Sequence, residues 1–159
     1  MKKIPPALLA NPIHLLSVGF GSGLSPKAPG TFGTLAALPF WCALQLLSPL
    51  PYLLVVIVAF VLGVYLCGKT ADALDVHDHG GIVWDEFVGL WIALFALPFE
   101  WPWIVLGFVL FRLFDIWKPW PIRVLDAKVH GGLGIMIDDV VAGVYALALL
   151  QWLRWYLLV

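Results

Sequence analysis

The most constraining feature of this sequence is a strongly apolar stretch from Ile82 to Ile122, whose charged residues lie near its two ends apart from one at its middle. Pro98, Glu100 and Pro102 mark that middle as a turn, because proline interrupts a helix. The stretch is therefore predicted to be a helical hairpin with two apolar arms.

Four charged residues are predicted to meet at one level of this hairpin, Asp85 and Glu86 on the first arm and Arg112 and Asp115 on the second. The eleven residues between the charges and the turn on each arm make about 16 Å of helix, roughly half the hydrocarbon thickness of a bilayer. If the hairpin reaches the far side of a membrane, the carboxylates are partly immersed. Such a position costs about 3 kcal/mol per charge and usually marks a functional site.

Composition favours a membrane protein, since 62% of the residues are hydrophobic and 12% are charged, against about 25% charged in soluble domains. We expect an all-α, polytopic bundle of about four to five membrane helices, forming a single domain over residues 1–159. A net charge of −1 argues against nucleic acid as a partner. Nine Trp residues and short helices are compatible with a homo-oligomer.

The N-terminal region is predicted to lie on the membrane surface. Prolines interrupt the apolar run that follows Lys2 and Lys3, which argues against a cleaved signal peptide. Asn11 and Pro12 suit an N-cap and first helical position. A short helix over 13–20 would be too short to cross and is predicted to be interfacial.

The segment from Gly19 to Pro39 is rich in Gly and Pro, which forbids a regular helix until about Thr31. One interpretation is a flexible interfacial loop. The other is a phosphate cradle, in which backbone N–H groups, the hydroxyls of Ser22 and Thr31 and the charge of Lys27 bind an anion beside a helix start.

Two apolar helices are predicted next, over 32–48 and 52–68, each close to the lower length limit for a span. Gly63 to Thr70 matches the nucleotide-binding pattern G-x-x-x-x-G-K-[ST], but no strand precedes it and its middle is bulky, so we reject that function. Cys42 and Cys67 would lie about 13 Å apart in depth and are predicted to be free thiols.

The polar segment that follows contains His77 and His79. It is either a solvated loop or a source of a general acid, because histidine titrates near neutrality. A zinc site is weakly supported without a third ligand.

Asp138 and Asp139 are predicted at the entrance of a last helix over 140–159. They could merely complement the helix dipole, but two adjacent carboxylates at a membrane boundary favour metal binding.

The charges predict the orientation of the bundle. With both proline turns on one side, the opposite side carries most cations: Lys2, Lys3, Lys27, Lys69, Lys118, Arg123 and Lys128. The positive-inside rule makes that side cytoplasmic. All the polar motifs lie on it, which predicts one active site facing the cytoplasm.

Carboxylates near Arg and Lys, beside an anion-binding loop, indicate a site for a metal and a phosphate. Carboxylate oxygens without Cys suit Mg²⁺. At a membrane boundary, the accessible phosphate with an apolar body is a phospholipid head group. The nucleophile could be metal-activated water or a carboxylate.

Four motifs in order, GSGLSPKAPGTFGTLAALP, VHDHGGIVWDEFVG, FRLFDIWKPWPIR and GGLGIMIDDVVAG, resemble the phosphatidylglycerophosphatase A family over roughly residues 11–145. The resemblance implies an all-helical enzyme of the bacterial inner membrane that hydrolyses phosphatidylglycerophosphate to phosphatidylglycerol and phosphate with Mg²⁺. The family pattern points to six positions: Asp85, Glu86, Asp115, Lys118, Asp138 and Asp139.

Within that pattern, the metal ligands are predicted to be Asp85, Glu86, Asp138 and Asp139. The predicted phosphate-binding residues are Ser22, Lys27, Thr31, Arg112 and Lys118. Asp115 could orient a cation or act as a ligand or base, and His77 or His79, with His79 preferred, could be the general acid. Two alternatives stay open: a phosphatase for another lipid phosphate such as phosphatidate, and a non-enzymatic bundle that binds or transports divalent cations.

Overall fold

The computed structural model describes residues 4–158, and the side chains of residues 4–157. The predicted positions of Lys2 and Lys3 lie outside the described residues. Within residues 4–158 the chain forms helices and no strand, which confirms the all-α prediction.

The helices run in chain order as α1 Pro12–Ser17, α2 Pro29–Leu44, α3 Pro49–Leu74, α4 Trp84–Ala93, α5 Trp101–Trp117, α6 Ile122–Lys128 and α7 Gly131–Leu158. Short 3₁₀ segments cover Pro6–Ala10 and Gly19–Leu24. The helix α7 occupies the centre, where it packs against α3, α4, α5 and α6, while α1 packs on α3 and α2 on α4. The core between them contains Trp41, Phe87, Phe111, Met136 and Leu150, all fully buried.

Two of the described helices, α3 and α7, are long and apolar enough to cross a membrane. Only 33% of the most apolar part of α3 is buried inside the molecule, against 50% for α7. The exposed remainder of α3 carries large apolar side chains such as Leu54, Ile57 and Val61. A surface of this kind is expected against lipid rather than water.

The predicted helix bounds need correction in the first half of the chain. The N-cap is confirmed, because the Asn11 side chain accepts a hydrogen bond from the Ile13 N–H (3.0 Å). However, α1 ends at Ser17, since the positive φ angles of Gly19 and Phe20 are incompatible with helix. The helix α2 begins already at Pro29 and ends at Leu44.

The helix α3 starts at Pro49 and continues to Leu74, where Asp75 in the left-handed conformation ends it. The predicted end near residue 68 was wrong because Lys69 and Asp72 lie exposed on the helix surface and do not interrupt it. The pseudo-nucleotide motif Gly63–Thr70 is therefore helical throughout, as expected for a motif without nucleotide function. Both cysteines are free, as predicted.

The predicted hairpin is present, but its arms are unequal. The helix α4 has ten residues and α5 has seventeen, because the chain leaves the helix at Leu94 before reaching the turn. The helix α5 begins at Trp101, with Pro102 in its first turn. The proline-marked turn is therefore confirmed.

The last helix starts well before the predicted position. The helix α7 begins at Gly131, so Asp138 and Asp139 lie two turns inside it rather than at its entrance. Gly132 makes this possible, because a Cβ there would collide with the backbone of α3 at Val64 and Gly68. Gly132, which lies before the predicted start of the helix, is instead used for close packing of α7 on α3.

Candidate functional site

The start of α4 places two acids inside the bundle. Asp85 and Glu86 lie in its first turn, directly after a loop that is fixed to α1 because the Val83 N–H donates to the Ser17 carbonyl (2.9 Å). Glu86 is 8% exposed, and Asp85 is partly buried. The short loop therefore aims both carboxylates at α7.

The helix α7 supplies a third acid to the same place. Asp139 is 3% exposed, and one carboxylate oxygen from each of Asp85, Glu86 and Asp139 lies within 4.8 Å of the other two. We call these three residues the acidic triad. The convergence of Glu86 and Asp139, far apart in the chain, is the central requirement of the predicted metal site, and the structure meets it.

The acidic triad depends on a close crossing of α4 and α7. A Cβ on Gly143 would collide with the Gly89 carbonyl, and one on Gly89 would lie 2.9 Å from the Asp139 carbonyl oxygen. The two backbones are therefore in direct contact one turn away from the acids, so the crossing point fixes how far apart the carboxylates are.

The chemistry of the acidic triad fits a divalent cation. Within residues 4–157, Oδ1 of Asp85, Oε2 of Glu86 and Oδ2 of Asp139 are buried and receive no hydrogen bond. Buried carboxylates without donors are costly unless a positive charge compensates them. Oxygen ligands of this kind suit Mg²⁺ better than softer metals.

Asp138 is not part of the acidic triad, although it was predicted with the other metal ligands. Successive side chains on a helix point about 100° apart, so Asp138 and Asp139 cannot both face α4. Oδ2 of Asp138 instead accepts a hydrogen bond from Lys118 Nζ (2.7 Å).

Arg112 on α5 lies beside the acidic triad, at the level that was predicted from the hairpin. Its Nη1 lies 2.6 Å from Oδ2 of Asp115 and 3.6 Å from Oε1 of Glu86. All three side chains are largely buried, with 11 to 15% of each exposed. Asp115 holds the guanidinium beside Glu86, which supports the predicted orienting role.

Lys118, just beyond the end of α5, connects the acids to α6. Its Nζ pairs with Asp126 (2.8 Å) as well as with Asp138. Partial burial lowers the pKa of Lys118, but hydrogen bonds to both carboxylates outweigh this, so its pKa is raised above the ordinary value. Lys118 therefore remains a cation under physiological conditions.

The Gly-rich segment reaches the same site, as its predicted role requires. Gly30 lies in the first turn of α2, and a Cβ there would collide with Oε1 of Glu86 and lie 3.0 Å from both terminal nitrogens of Arg112. Ala28 precedes the helix in the left-handed conformation and turns the chain toward the site. The unpaired N–H groups at the start of α2 are therefore next to the Arg112 guanidinium.

The polar side chains of the Gly-rich segment differ in burial and in whether they already have a hydrogen-bond or ion-pair partner. The Ser22 hydroxyl donates to the Gly19 carbonyl (2.8 Å), so its proton is used within the loop. Thr31 is partly buried at the start of α2. Lys27 is exposed, and no carboxylate among residues 4–157 forms an ion pair with it.

The two histidines of the loop before α4 differ in environment. His79 is buried and its Nδ1 accepts a hydrogen bond from the Gly81 N–H (3.0 Å), beside the Gly-rich segment. His77 is exposed and pairs with His130 across 2.7 Å. The backbone of Gly81 contacts that of Gly23, which brings His79 near the Gly-rich segment. His77 has a partner that the sequence did not suggest.

The model of the family Phosphatidylglycerophosphatase A matches residues 15–154. The chain belongs to the phosphatidylglycerophosphatase A family.

Two relatives share the name of this family. Phosphatidylglycerophosphatase A of Escherichia coli is 58% identical over 91% of this chain and 85% of the relative. The protein of the same name in Haemophilus influenzae is 51% identical over 99% of this chain and 96% of the relative. A Bacteroides thetaiotaomicron protein with the provisional name of a phosphatidylinositol-3-phosphatase is 43% identical over 89% and 92%. No solved structure matches the chain.

Sequence reasoning missed two parts of this family member's site. Asp126 pairs with Lys118 across the turn from α5 to α6, and no sequence spacing links the two residues. Gly30 was counted among the loop glycines, but its contact with Glu86 and Arg112 was not predicted. Both depend on how separate helices pack, which the local pattern does not report.

Proposed function

We propose that this chain is a Mg²⁺-dependent lipid phosphatase that hydrolyses phosphatidylglycerophosphate to phosphatidylglycerol and inorganic phosphate. Family membership supports the reaction. The observation that carries the metal requirement is the acidic triad, with three buried carboxylate oxygens that lack donors among residues 4–157.

Asp85, Glu86 and Asp139 would hold the ion, directly or through water. Bound there, Mg²⁺ supplies positive charge for the phosphate oxygens and lowers the pKa of a nearby water. Asp138 was also predicted to be a metal ligand. We propose instead that it holds Lys118 in position and does not contact the ion. Its hydrogen bond to Lys118 Nζ supports this role.

The phosphate would lie beside the acidic triad, at the start of α2. Arg112 can donate to its oxygens while Asp115 keeps the guanidinium in position, and the N–H groups of Gly30 and Thr31 can donate from the helix start. Lys27, which is exposed and forms no ion pair within residues 4–157, adds a cation from the segment before α2. Donors fixed in advance lower the barrier because they stabilise charge that grows on the phosphate during transfer.

Hydrolysis breaks the bond between the terminal phosphorus and the glycerol oxygen, and a water oxygen takes its place in the released phosphate. The attack occurs either by water directly or through a carboxylate of the site. The glycerol oxygen leaves with a proton, for which we propose His79 as donor, because the loop that carries it leads directly into Asp85 and Glu86.

We further propose a multi-pass protein of the bacterial inner membrane with its active site facing the cytoplasm, and four to five membrane helices that include α2 and α5. Support comes from the apolar surfaces of α3 and α7 and from the cations concentrated at the end of the bundle that carries the acids. A homo-oligomer is compatible with the exposed apolar helix faces.

A phosphate-release assay tests the proposed reaction. Purified protein in neutral detergent should release phosphate from phosphatidylglycerophosphate with Mg²⁺ and not after chelation. Asp85→Asn and Asp139→Asn should each lower the rate by at least about 10²-fold, whereas Asp72→Asn, an exposed acid on α3, should not change it. Phosphate release that is unaffected by both site variants would remove the acidic triad from the mechanism.

The alternative function is a binding or transport protein for divalent cations. Such a protein would bind Mg²⁺ but would release no phosphate from any lipid. The ion pairs of Arg112 and Lys118 beside the acids argue against it, because fixed cations repel a passing metal ion. Absence of phosphate release by folded, Mg²⁺-binding protein would favour the transporter.

A second candidate is a phosphatase for another lipid phosphate, which the name of the Bacteroides relative favours. Competition between phosphatidylglycerophosphate, phosphatidate and phosphatidylinositol 3-phosphate in one micelle ranks their kcat/KM values. A higher value for either of the last two would replace the proposed substrate while leaving the site chemistry intact.

A further inference from the structure

An open pocket of about 400 Å³ lies at the turn between α5 and α6. It is lined by Trp117, Lys118, Pro119, Trp120, Arg123 and Val124. We call it the tryptophan pocket. The reaction proposed above assigns nothing to it apart from Lys118.

The charge of the tryptophan pocket is opposite to that of the acidic triad. Its lining contains two cations and no carboxylate. Lys118 is already paired with Asp126 and Asp138, but Arg123 is exposed, and no carboxylate among residues 4–157 forms an ion pair with it. The Arg123 guanidinium is therefore available to bind an anion, and its planar fork suits a phosphate.

The walls of the tryptophan pocket suit the head-group level of a membrane. Trp117 is 69% exposed and Trp120 is 80% exposed. Indole rings concentrate at membrane–water interfaces, where one side is apolar and the other is hydrated. An anion bound beside them would therefore belong to an amphipathic molecule.

Lys118 connects the tryptophan pocket to the acids. Its side chain lines the pocket while its Nζ donates to Asp138, the neighbour of Asp139 in the acidic triad. A ligand in the pocket thus lies one side chain away from the reaction centre. A lipid with two phosphates joined by a single glycerol could occupy both places at once.

We infer that the tryptophan pocket binds the phosphodiester of the lipid substrate through Arg123 while the terminal phosphate monoester lies at the acidic triad. This inference rests on the proposed function and extends it to substrate choice. Phosphatidate has a monoester and no diester, so it would leave the pocket without its anion. Arg123 would then favour lipids that carry both phosphates.

The test measures KM, kcat and product inhibition in neutral-detergent micelles that contain no anionic lipid other than the substrate and the phosphatidylglycerol added as inhibitor. Phosphatidylglycerol, the product, keeps the diester and lacks the monoester, so its inhibition constant reports on the tryptophan pocket alone. Arg123→Gln should raise both KM for phosphatidylglycerophosphate and the inhibition constant of phosphatidylglycerol by about tenfold, with kcat nearly unchanged. Arg123→Lys should show a smaller rise, because the charge remains without the fork.

Lys128→Gln is the matched control, since Lys128 is an exposed cation on the same helix, outside the tryptophan pocket. Unchanged KM and inhibition in Arg123→Gln, or equal changes in Lys128→Gln, would overturn the inference. So would wild-type protein that phosphatidylglycerol does not inhibit, or an effect that appears only after phosphatidylserine is added, since the pocket would then bind bulk lipid. Wild-type protein that releases no phosphate from phosphatidylglycerophosphate would instead refute the proposed function itself.

Discussion

Gly30→Ala should disturb the geometry of the site without lowering the stability of the fold. The new Cβ would collide with Oε1 of Glu86 and lie 3.0 Å from both terminal nitrogens of Arg112. These atoms are the tips of flexible side chains, so they can move aside without disturbing the core. Gly30 is the second residue of α2, and Ala is a better helix former than Gly, so folding should not suffer.

The displaced side chains are the ones that would hold the phosphate and the metal. A shift of about 1 Å in positioned groups lowers a catalytic rate by about 10²-fold, and we expect a loss of kcat of that order with an unchanged melting temperature. Phosphate release and thermal unfolding would be measured on the same detergent-purified sample. Full activity in correctly folded Gly30→Ala would refute the placement of the phosphate beside α2.

Gly33→Ala, one turn further along α2, is the contrasting control. Its Cβ would lie 2.6 Å from Cβ of Val83, a fully buried side chain attached directly to the loop before α4. Overpacking of this kind costs about 1 to 3 kcal/mol, so Gly33→Ala should lower the melting temperature. If Gly30→Ala lost as much stability as Gly33→Ala, its loss of activity would not report on the site.

Three further predictions concern the cations and the helix crossing. Arg112→Lys should lower phosphate release by about 10²-fold with little change in melting temperature, because an ammonium cannot hold both carboxylate partners and still donate to phosphate; wild-type rates would contradict this. The raised pKa of Lys118 means that its ion pairs are fully present below the unfolded lysine pKa of about 10.4 and are lost only as the pH rises through the higher folded value. The melting-temperature difference between wild type and Lys118→Gln should therefore stay constant from about pH 7 to pH 10, and a difference that shrinks across this range would show that the ion pairs are weak. Gly143→Ala should raise the Mg²⁺ concentration needed for half-maximal thermal stabilisation, because the Gly89 carbonyl opposite it belongs to the backbone and cannot turn aside. Gly107→Ala, which overpacks α5 against Leu94, should lower stability and leave that concentration unchanged; equal shifts in both variants would disconnect the crossing from the metal site.

The parts of the site that lie on one hairpin were predictable from the sequence. The turn marked by Pro98 and Pro102 pairs the two arms, and counting outward from it predicts that Arg112 is level with Glu86. The two side chains do meet, although α4 already ends at Ala93. Their common level was predicted from the hairpin, whereas the ion pair between them is a finding of the structure. No knowledge of the other helices was needed for that prediction.

The separation of Asp138 from Asp139 was missed because the last helix was predicted to begin only at residue 140, after Gly131, Gly132 and Gly134. Isolated glycines weaken a helix by about 1 kcal/mol each, and three of them within four residues normally end one. Here the contact of Gly132 with the backbone of α3 compensates, since only glycine allows so close an approach. Once the segment is helical, two adjacent aspartates must face different neighbours.

The acidic triad itself depends on a pattern that has meaning only when two helices are considered together. Asp85 precedes Gly89 by four residues, and Asp139 precedes Gly143 by four residues. Four residues are about one helical turn, so each acid lies on the same face as its glycine. With the glycines in contact, the acids come to one side of the crossing only if α4 and α7 run in the same direction. In an antiparallel pair the same residues would lie about 12 Å apart along the axis, too far to share an ion. The chain returns along the bundle once between the two helices, through α5, and α4 and α7 therefore run in the same direction.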